Sequence, residues 1–339
     1  METVVPKNVI DNYLEQIEVT DLNRASIRQV LACVANAEKE TGQKFIHFEM
    51  GVPGLEPGAI GIAAQKAALD AGVASKYPNI EGIDELRTEA SRFVKAFINT
   101  DVAPGHCHPT CGAMQGTFAA FMLCSQLDPK KDTILYIDPG FPVQKMQAAV
   151  LGLKMQSFDV ADYRADKLAP KLESILAEGN ICCMIYSNPN NPSWMCLTES
   201  ELETIGRLAT QYDTVIIEDL AYLTMDFRRE GLGTPFKEPY QVTVSRYTDN
   251  YIMMLSASKI FSYAGERIAV ACISDKLYER RFETLQKRYG ISRFGACYAY
   301  NMLYALSSGV AHSAQCAMAA MLKAASDGAY DFRSDISEY

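Results

Sequence analysis

Five short, nearly uninterrupted apolar stretches constrain this chain most: Thr133–Ile137, Ile181–Tyr186, Thr214–Ile217, Tyr251–Leu255 and Ile268–Ile273. A strand with one wet face alternates apolar and polar residues. A run such as Ile181-Cys182-Cys183-Met184-Ile185-Tyr186 predicts a strand buried on both faces. Leu153–Phe158 adds a further strand. Helical patterns lie between the strands, at Val143–Leu151, Lys167–Ala177 and from Thr198 onward. Thr198 and Glu201 have the spacing of a capping box. Strands alternating with helices predict an α/β fold: three α/β/α layers around a mostly parallel central sheet.

The flanking segments are more helical. Residues 1–44 predict two helical pieces, one carrying the apolar spacing Ile27, Val30, Leu31, Val34. Phe45–Met50 alternates like a short strand and runs into the Gly- and Pro-rich loop Gly51–Gly58. Ile60–Ala71 and Ile83–Ile98 predict helices on either side of a turn at Tyr77–Gly82, and Cys111–Gly116 opens an apolar helix that continues through Leu123. After residue 276 the patterns are helical at Leu277–Arg288, Ala299–Leu306 and Ala314–Ala325.

In parallel sheets ligands sit at the carboxyl ends of the strands. Those ends carry the unusual residues here: Phe141, Asn191, Asp219 and Lys259. Lys259 lies in Ser256-Ala257-Ser258-Lys259, just past an apolar run, with Arg267 eight residues on. Alone, this reads as a solvated strand rim. Burial, however, lowers a lysine's pKa, and a neutral amine can attack a carbonyl and hold it as an imine. An aldehyde-bearing pyridine cofactor would need the other strand-end residues too. Asp219 could keep a ring nitrogen protonated, Phe141 could stack on the ring, and Asn191 and Tyr222 could bond a ring hydroxyl. Ser256, Arg267 and the helix start at Gly112-Ala113-Met114 could hold a phosphate.

The motifs Gly112-Ala113-Met114-Gln115, Asn188-Pro189-Asn190-Asn191-Pro192, Asp219-Leu220-Ala221-Tyr222 and Ser256-Ala257-Ser258-Lys259 with Arg267 occur in one order. In that order they resemble the fold-type-I pyridoxal-phosphate enzymes, the class I/II aminotransferases, from about Phe48 onward. The resemblance implies pyridoxal 5′-phosphate as cofactor and amino-group transfer between an amino acid and a 2-oxo acid. Lys259 would hold the cofactor as a Schiff base and serve as acid and base. Asp219 would pair with the ring nitrogen, and Asn191 and Tyr222 would bond the ring oxygen. Phe141 would stack, and Ser256, Arg267, Gly112, Ala113 and Met114 would form the phosphate site. Tyr77 would reach the partner's phosphate in a homodimer, and Gly51 would sit with Asn191 on the substrate side. The implied layout is an N-terminal arm and helices (1–50) forming part of a small domain, a large cofactor domain (51–295) and a helical connection (296–339) into the incomplete C-terminal part of that small domain.

Two departures stand out. The family's asparagine motif continues Thr-Gly, whereas here it continues Ser193-Trp194. Trp194, the sole tryptophan, either shapes the substrate pocket or plugs a turn, and the turn is the expectation. The family arginine for the substrate α-carboxylate is not found before Tyr339, so either the chain is shortened or that site is built differently. Arg24, Arg28 and Arg293 are the nearest candidates for an anion partner, each read first as a surface arginine.

Charge and cysteines bound the alternatives. A formal charge of −9 argues against nucleic acid or an anionic membrane as partner. The N-terminus has no apolar signal region, and ten cysteines in largely apolar contexts suit a reducing compartment, so cytoplasm is expected. His106-Cys107-His108-Pro109-Thr110-Cys111 has metal-ligand residue types, but zinc sites normally pair two separated groups, so no metal is expected. A lyase on the same scaffold and a non-catalytic ligand-binding chain are the competing functional readings.

Overall fold

A computed structural model describes residues 4–22, 25–48, 51 and 54–337. They divide into two compact units, 1–52 and 53–339.

The first unit carries helices α1 (Lys7–Gln16) and α2 (Ile27–Thr41). Ser26 caps α2 in a reciprocal box: its hydroxyl accepts from the Gln29 N–H at 3.3 Å, and its own N–H donates to Gln29 Oε1 at 2.8 Å. Gly42, at φ +71°, ends the helix. The strand expected at Phe45–Met50 is not formed over Phe45–Phe48, while Glu49 and Met50 lie outside the described residues. Alternation alone makes no strand without a paired neighbour. Phe45 instead donates its N–H to Glu38 at 2.9 Å, and Phe48 is exposed.

The second unit is built on a seven-stranded sheet. In chain order the strands are β1 (Cys107–Cys111), β2 (Thr133–Asp138), β3 (Lys154–Asp159), β4 (Ile181–Ser187), β5 (Val215–Asp219), β6 (Tyr251–Ser256) and β7 (Ile268–Ile273). Their spatial order is β1-β7-β6-β5-β4-β2-β3, and only the pairings that involve β7 are antiparallel. Six strands therefore end at the same edge of the sheet.

Helices cover both faces, as the apolar runs require. One face packs Met184, Ile216 and Met253 against α4 (Asp84–Ile98), α7 (Leu168–Leu176), α8 (Glu199–Gln211) and the helix His312–Ser326. The other packs Ile185, Ile217 and Met254 against α5 (Gly112–Cys124) and the helical residues 277–303. Two further helices, α3 (Ala59–Asp70) and α6 (Pro142–Val150), join this unit. Each fully buried Leu, Ile or Phe contributes about 1.5–3 kcal/mol, so these two apolar layers dominate the stability of the sheet.

The expected box at α8 forms. The Glu201 N–H donates to Thr198 Oγ1 at 3.2 Å, and Thr198 N–H donates to Glu201 Oε2 at 2.8 Å. Three expectations need correction. Leu277–Arg288 is two helices, Asp275–Glu279 and Glu283–Tyr289, broken where Arg281 bridges to Arg293. Ala299–Leu306 begins within a π-helix at Tyr298–Leu303. The His- and Cys-rich segment is the strand β1, hidden in the sequence by its polar residues. Residues 296–337 lie in the second unit, and Phe332 and Ile336 sit in its core. Among the described residues no helix is long and apolar enough to cross a membrane.

Candidate active site

The parallel strands deliver their last residues to one edge, and the site begins with β5. Strand alternation sends Glu218 and Asp219 to opposite faces. Glu218 is buried among core residues, accepts the Val244 N–H at 3.0 Å and is pushed by burial up to about 8. Asp219 is 8% exposed, at the strand's end. Its carboxylate accepts from Gln144 Nε2 at 3.1 Å and from the Ala221 N–H at 3.1 Å. Burial raises its pKa from the usual 3.8 to about 6, against the opposing pull of these two donors. A buried carboxylate held by neutral donors is a poorly compensated charge, and such a group favours a cationic neighbour.

Lys259 sits in the short helix α9 (Ala257–Ile260), directly after β6. Ser256, nearly fully buried, accepts the Ser258 N–H at 3.3 Å and so fixes this turn. Burial lowers the pKa of the Lys259 amine, and the nearby Arg267 guanidinium lowers it further. A larger fraction of the amine is therefore neutral than in an exposed lysine.

Arg267 follows at φ +51°, a left-handed conformation uncommon outside glycine. Its guanidinium lies against Gly112, which opens α5 at φ +70°. A Cβ at Gly112 would come within 2.5 Å of the Arg267 terminal nitrogen. Gly112 thus suits the position by its backbone angle, and an added Cβ would push the Arg267 tip aside. Gly112→Ala is expected to destabilise the chain by about 1–3 kcal/mol in urea unfolding and to displace Arg267. Gln65 on α3 supports the same segment: it accepts from the Tyr263 hydroxyl and donates to Glu266 Oε2 at 2.6 Å.

The turns after β2 and β4 close in from the other side. Phe141 precedes α6 and is half-buried. One turn on, Gln144 is buried against Asp219. Asn191 donates its N–H to Ser187 Oγ at 3.2 Å, and Asn190 Nδ2 donates to Pro139 O at 2.6 Å, tying the two turns together. Tyr222 is half-buried, and its hydroxyl is raised to about 12 by burial and by Asp219. Trp194 meets it edge-on, with ring centroids 5.4 Å apart.

Of the residues singled out from sequence, Gly112, Ala113, Met114, Phe141, Asn191, Asp219, Tyr222, Ser256, Lys259 and Arg267 all lie at or just beyond one sheet edge. Tyr77 is 95% exposed and points to solvent. Gly51 is exposed in the first unit. Arg24, Val52 and Pro53 lie outside the described residues. Arg28 is exposed on α2, and Arg293 is ion-paired with Glu279 at 3.2 Å. Sequence reasoning missed Gln144 and Gln65. For Gln144 a signal existed, since it lies one helical turn beyond Phe141. Just before β1, His106 Nδ1 lies 2.6 Å from Asp275, and within β1 His108 is fully buried with its pKa lowered to about 3, chiefly by burial. Among the described residues no His, Cys, Asp or Glu group is arranged to hold a metal.

Comparison with known proteins fits this layout. The chain is 26% identical over 232 residues to a probable aspartate aminotransferase of Methanocaldococcus jannaschii, covering 68% of this chain and 58% of the relative. It is also 26% identical to the glutamate-pyruvate aminotransferase AlaC of Escherichia coli, covering 68% of this chain and 54% of the relative. It thus spans a little more than half the length of these relatives. In fold it resembles the Thermus thermophilus aspartate aminotransferase double mutant, with TM-score 0.73, 18% identity, and coverage of 96% of this chain and 76% of that one. The alanine aminotransferase of Pyrococcus furiosus gives TM-score 0.72 at 20% identity, with coverage of 93% and 76%. The family profile of aminotransferase class I and II matches residues 46–329. The chain belongs to the aminotransferase class I and II family, whose members depend on pyridoxal 5′-phosphate.

Proposed function

We propose that this chain is a pyridoxal-phosphate-dependent aminotransferase that moves an amino group between an amino acid and a 2-oxo acid. One observation carries the reading: a buried Asp219 carboxylate held only by neutral donors shares a sheet edge with a Lys259 amine of lowered pKa. Those are the two groups an aldehyde-bearing pyridinium ring requires, an anion for its nitrogen and a neutral amine for its aldehyde. The Gly112 cradle against Arg267 fits a phosphate at the start of α5, where backbone N–H groups are unpaired within the helix.

The residues divide the work. Lys259 would hold the cofactor through its aldehyde, and its Nζ, released as a free amine when the substrate's amino group takes its place on that carbon, would take the proton from the substrate α-carbon. Asp219 would keep the ring nitrogen protonated, with Gln144 aiming the carboxylate. Asn191 and Tyr222 would bond the ring oxygen, Phe141 would cover one ring face, and Ser256, Arg267 and the N–H groups of Ala113 and Met114 would hold the phosphate. The cofactor, when bound, supplies an electron sink for the pair released at the α-carbon. The exposure of Tyr77 supports a homodimer in which it serves the partner's phosphate site. Ten free cysteines support a reducing compartment, the cytoplasm.

The test is spectroscopic. Cofactor-loaded protein mixed with single amino acids is expected to convert to the amine form of the cofactor, and a 2-oxo acid should reverse the change. Release of ammonia or pyruvate without an amino acceptor would favour a lyase. No change with any amino acid would overturn catalysis.

A further inference from the structure

Trp194 occupies a conformation that its side chain does not favour. Its φ is +58°, in the left-handed region that large L-residues avoid. The turn around it is held by backbone and asparagine contacts that need no indole. Trp194 N–H donates to Asn190 O at 2.9 Å, Asn190 N–H to Met195 O at 2.9 Å, and Ser193 Oγ to Asn190 Oδ1 at 2.6 Å. Glycine would satisfy all of these without strain. Nor is the ring a buried plug, for Trp194 is 44% exposed. What the ring does touch is Tyr222, edge to face at 5.4 Å and 72°. Tyr222 stands three residues past Asp219. Local strain, a half-exposed aromatic and a contact with a site residue coincide, and backbone strain persists where the surroundings and function require it.

We infer that Trp194 is a specificity residue, walling the substrate side of the site and selecting an apolar or aromatic side chain on the amino acid. An indole offers a broad apolar surface and a ring quadrupole, and it offers no cation to neutralise a second carboxylate. On this inference the indole does more than fill the turn it occupies. The inference rests on the proposed function.

Trp194 is the sole tryptophan, so its fluorescence reports on the site directly. Titrating the cofactor-loaded protein with 3-phenylpropionate should quench it saturably, at concentrations at least about tenfold below those needed with succinate. Trp194→Gly should lower kcat/KM for phenylalanine by about tenfold or more, leave alanine within about threefold, and leave Tm unchanged or raised. Trp194→Phe should keep most of the preference. Equal fluorescence responses to the two acids overturn the inference, as does a Trp194→Gly variant that loses all substrates alike with a lowered Tm. If the wild-type chain does not retain cofactor at Lys259, the proposed function itself is overturned.

Discussion

Lys259→Ala is expected to bind the cofactor reversibly at best and to lose at least about ten-thousandfold in the rate of the amino-acid half-reaction. Two roles disappear with one side chain. The amine that would hold the aldehyde is gone, and so is the base for the α-carbon proton. The fold should be little affected, because Lys259 is only partly buried and the turn it occupies is fixed by Ser256. Stopped-flow absorbance with a large excess of amino acid checks this. Partial recovery by added small primary amines would assign the loss to the missing base rather than to misfolding.

Asp219→Asn is expected to separate stability from activity. Turnover should fall by about a hundred- to a thousandfold, because a neutral amide cannot stabilise a protonated ring nitrogen. The cofactor-free chain should instead gain stability near neutral pH. Folded Asp219 holds its proton up to about pH 6, whereas an unfolded aspartate releases it near 3.8. Between those values the folded state binds more protons, so this residue's contribution to stability falls as pH rises through the window. Above pH 6 the cost levels off at about 3 kcal/mol, an upper figure from the 3.8-to-6 shift. The variant should therefore unfold at higher urea than the parent at pH 7.5, and the difference should vanish below pH 4. A variant less stable than the parent at pH 7.5 would mean that Asp219 is already well compensated without cofactor.

Much of this was legible in the sequence because it rests on strong local signals. Continuous apolar runs admit few places other than a sheet covered on both faces, and β4, β5, β6 and β7 are buried along their whole lengths. Once β4, β5 and β6 are parallel, their polar last residues must meet at one edge. That is why Asn191, Asp219 and Lys259 could be grouped without coordinates. What escaped depended on side-chain packing between distant segments. Strand β1 was masked because His108, Pro109 and Thr110 lack an apolar pattern; its strand state comes from pairing with β7. Gln144 and Gln65 are ordinary residues whose roles come from reach. Trp194 was only partly legible because backbone sign is invisible in a sequence: its positive φ and its edge contact with Tyr222 come from the structure.

Lys259 is proposed as the covalent anchor of the cofactor. Reducing the cofactor-loaded protein with borohydride, digesting it and sequencing the labelled peptide by mass spectrometry tests this directly. A single stoichiometric pyridoxyl adduct on Lys259, absent from Lys259→Ala, is expected. An adduct on another lysine, or undiminished fixation in Lys259→Ala, would contradict it.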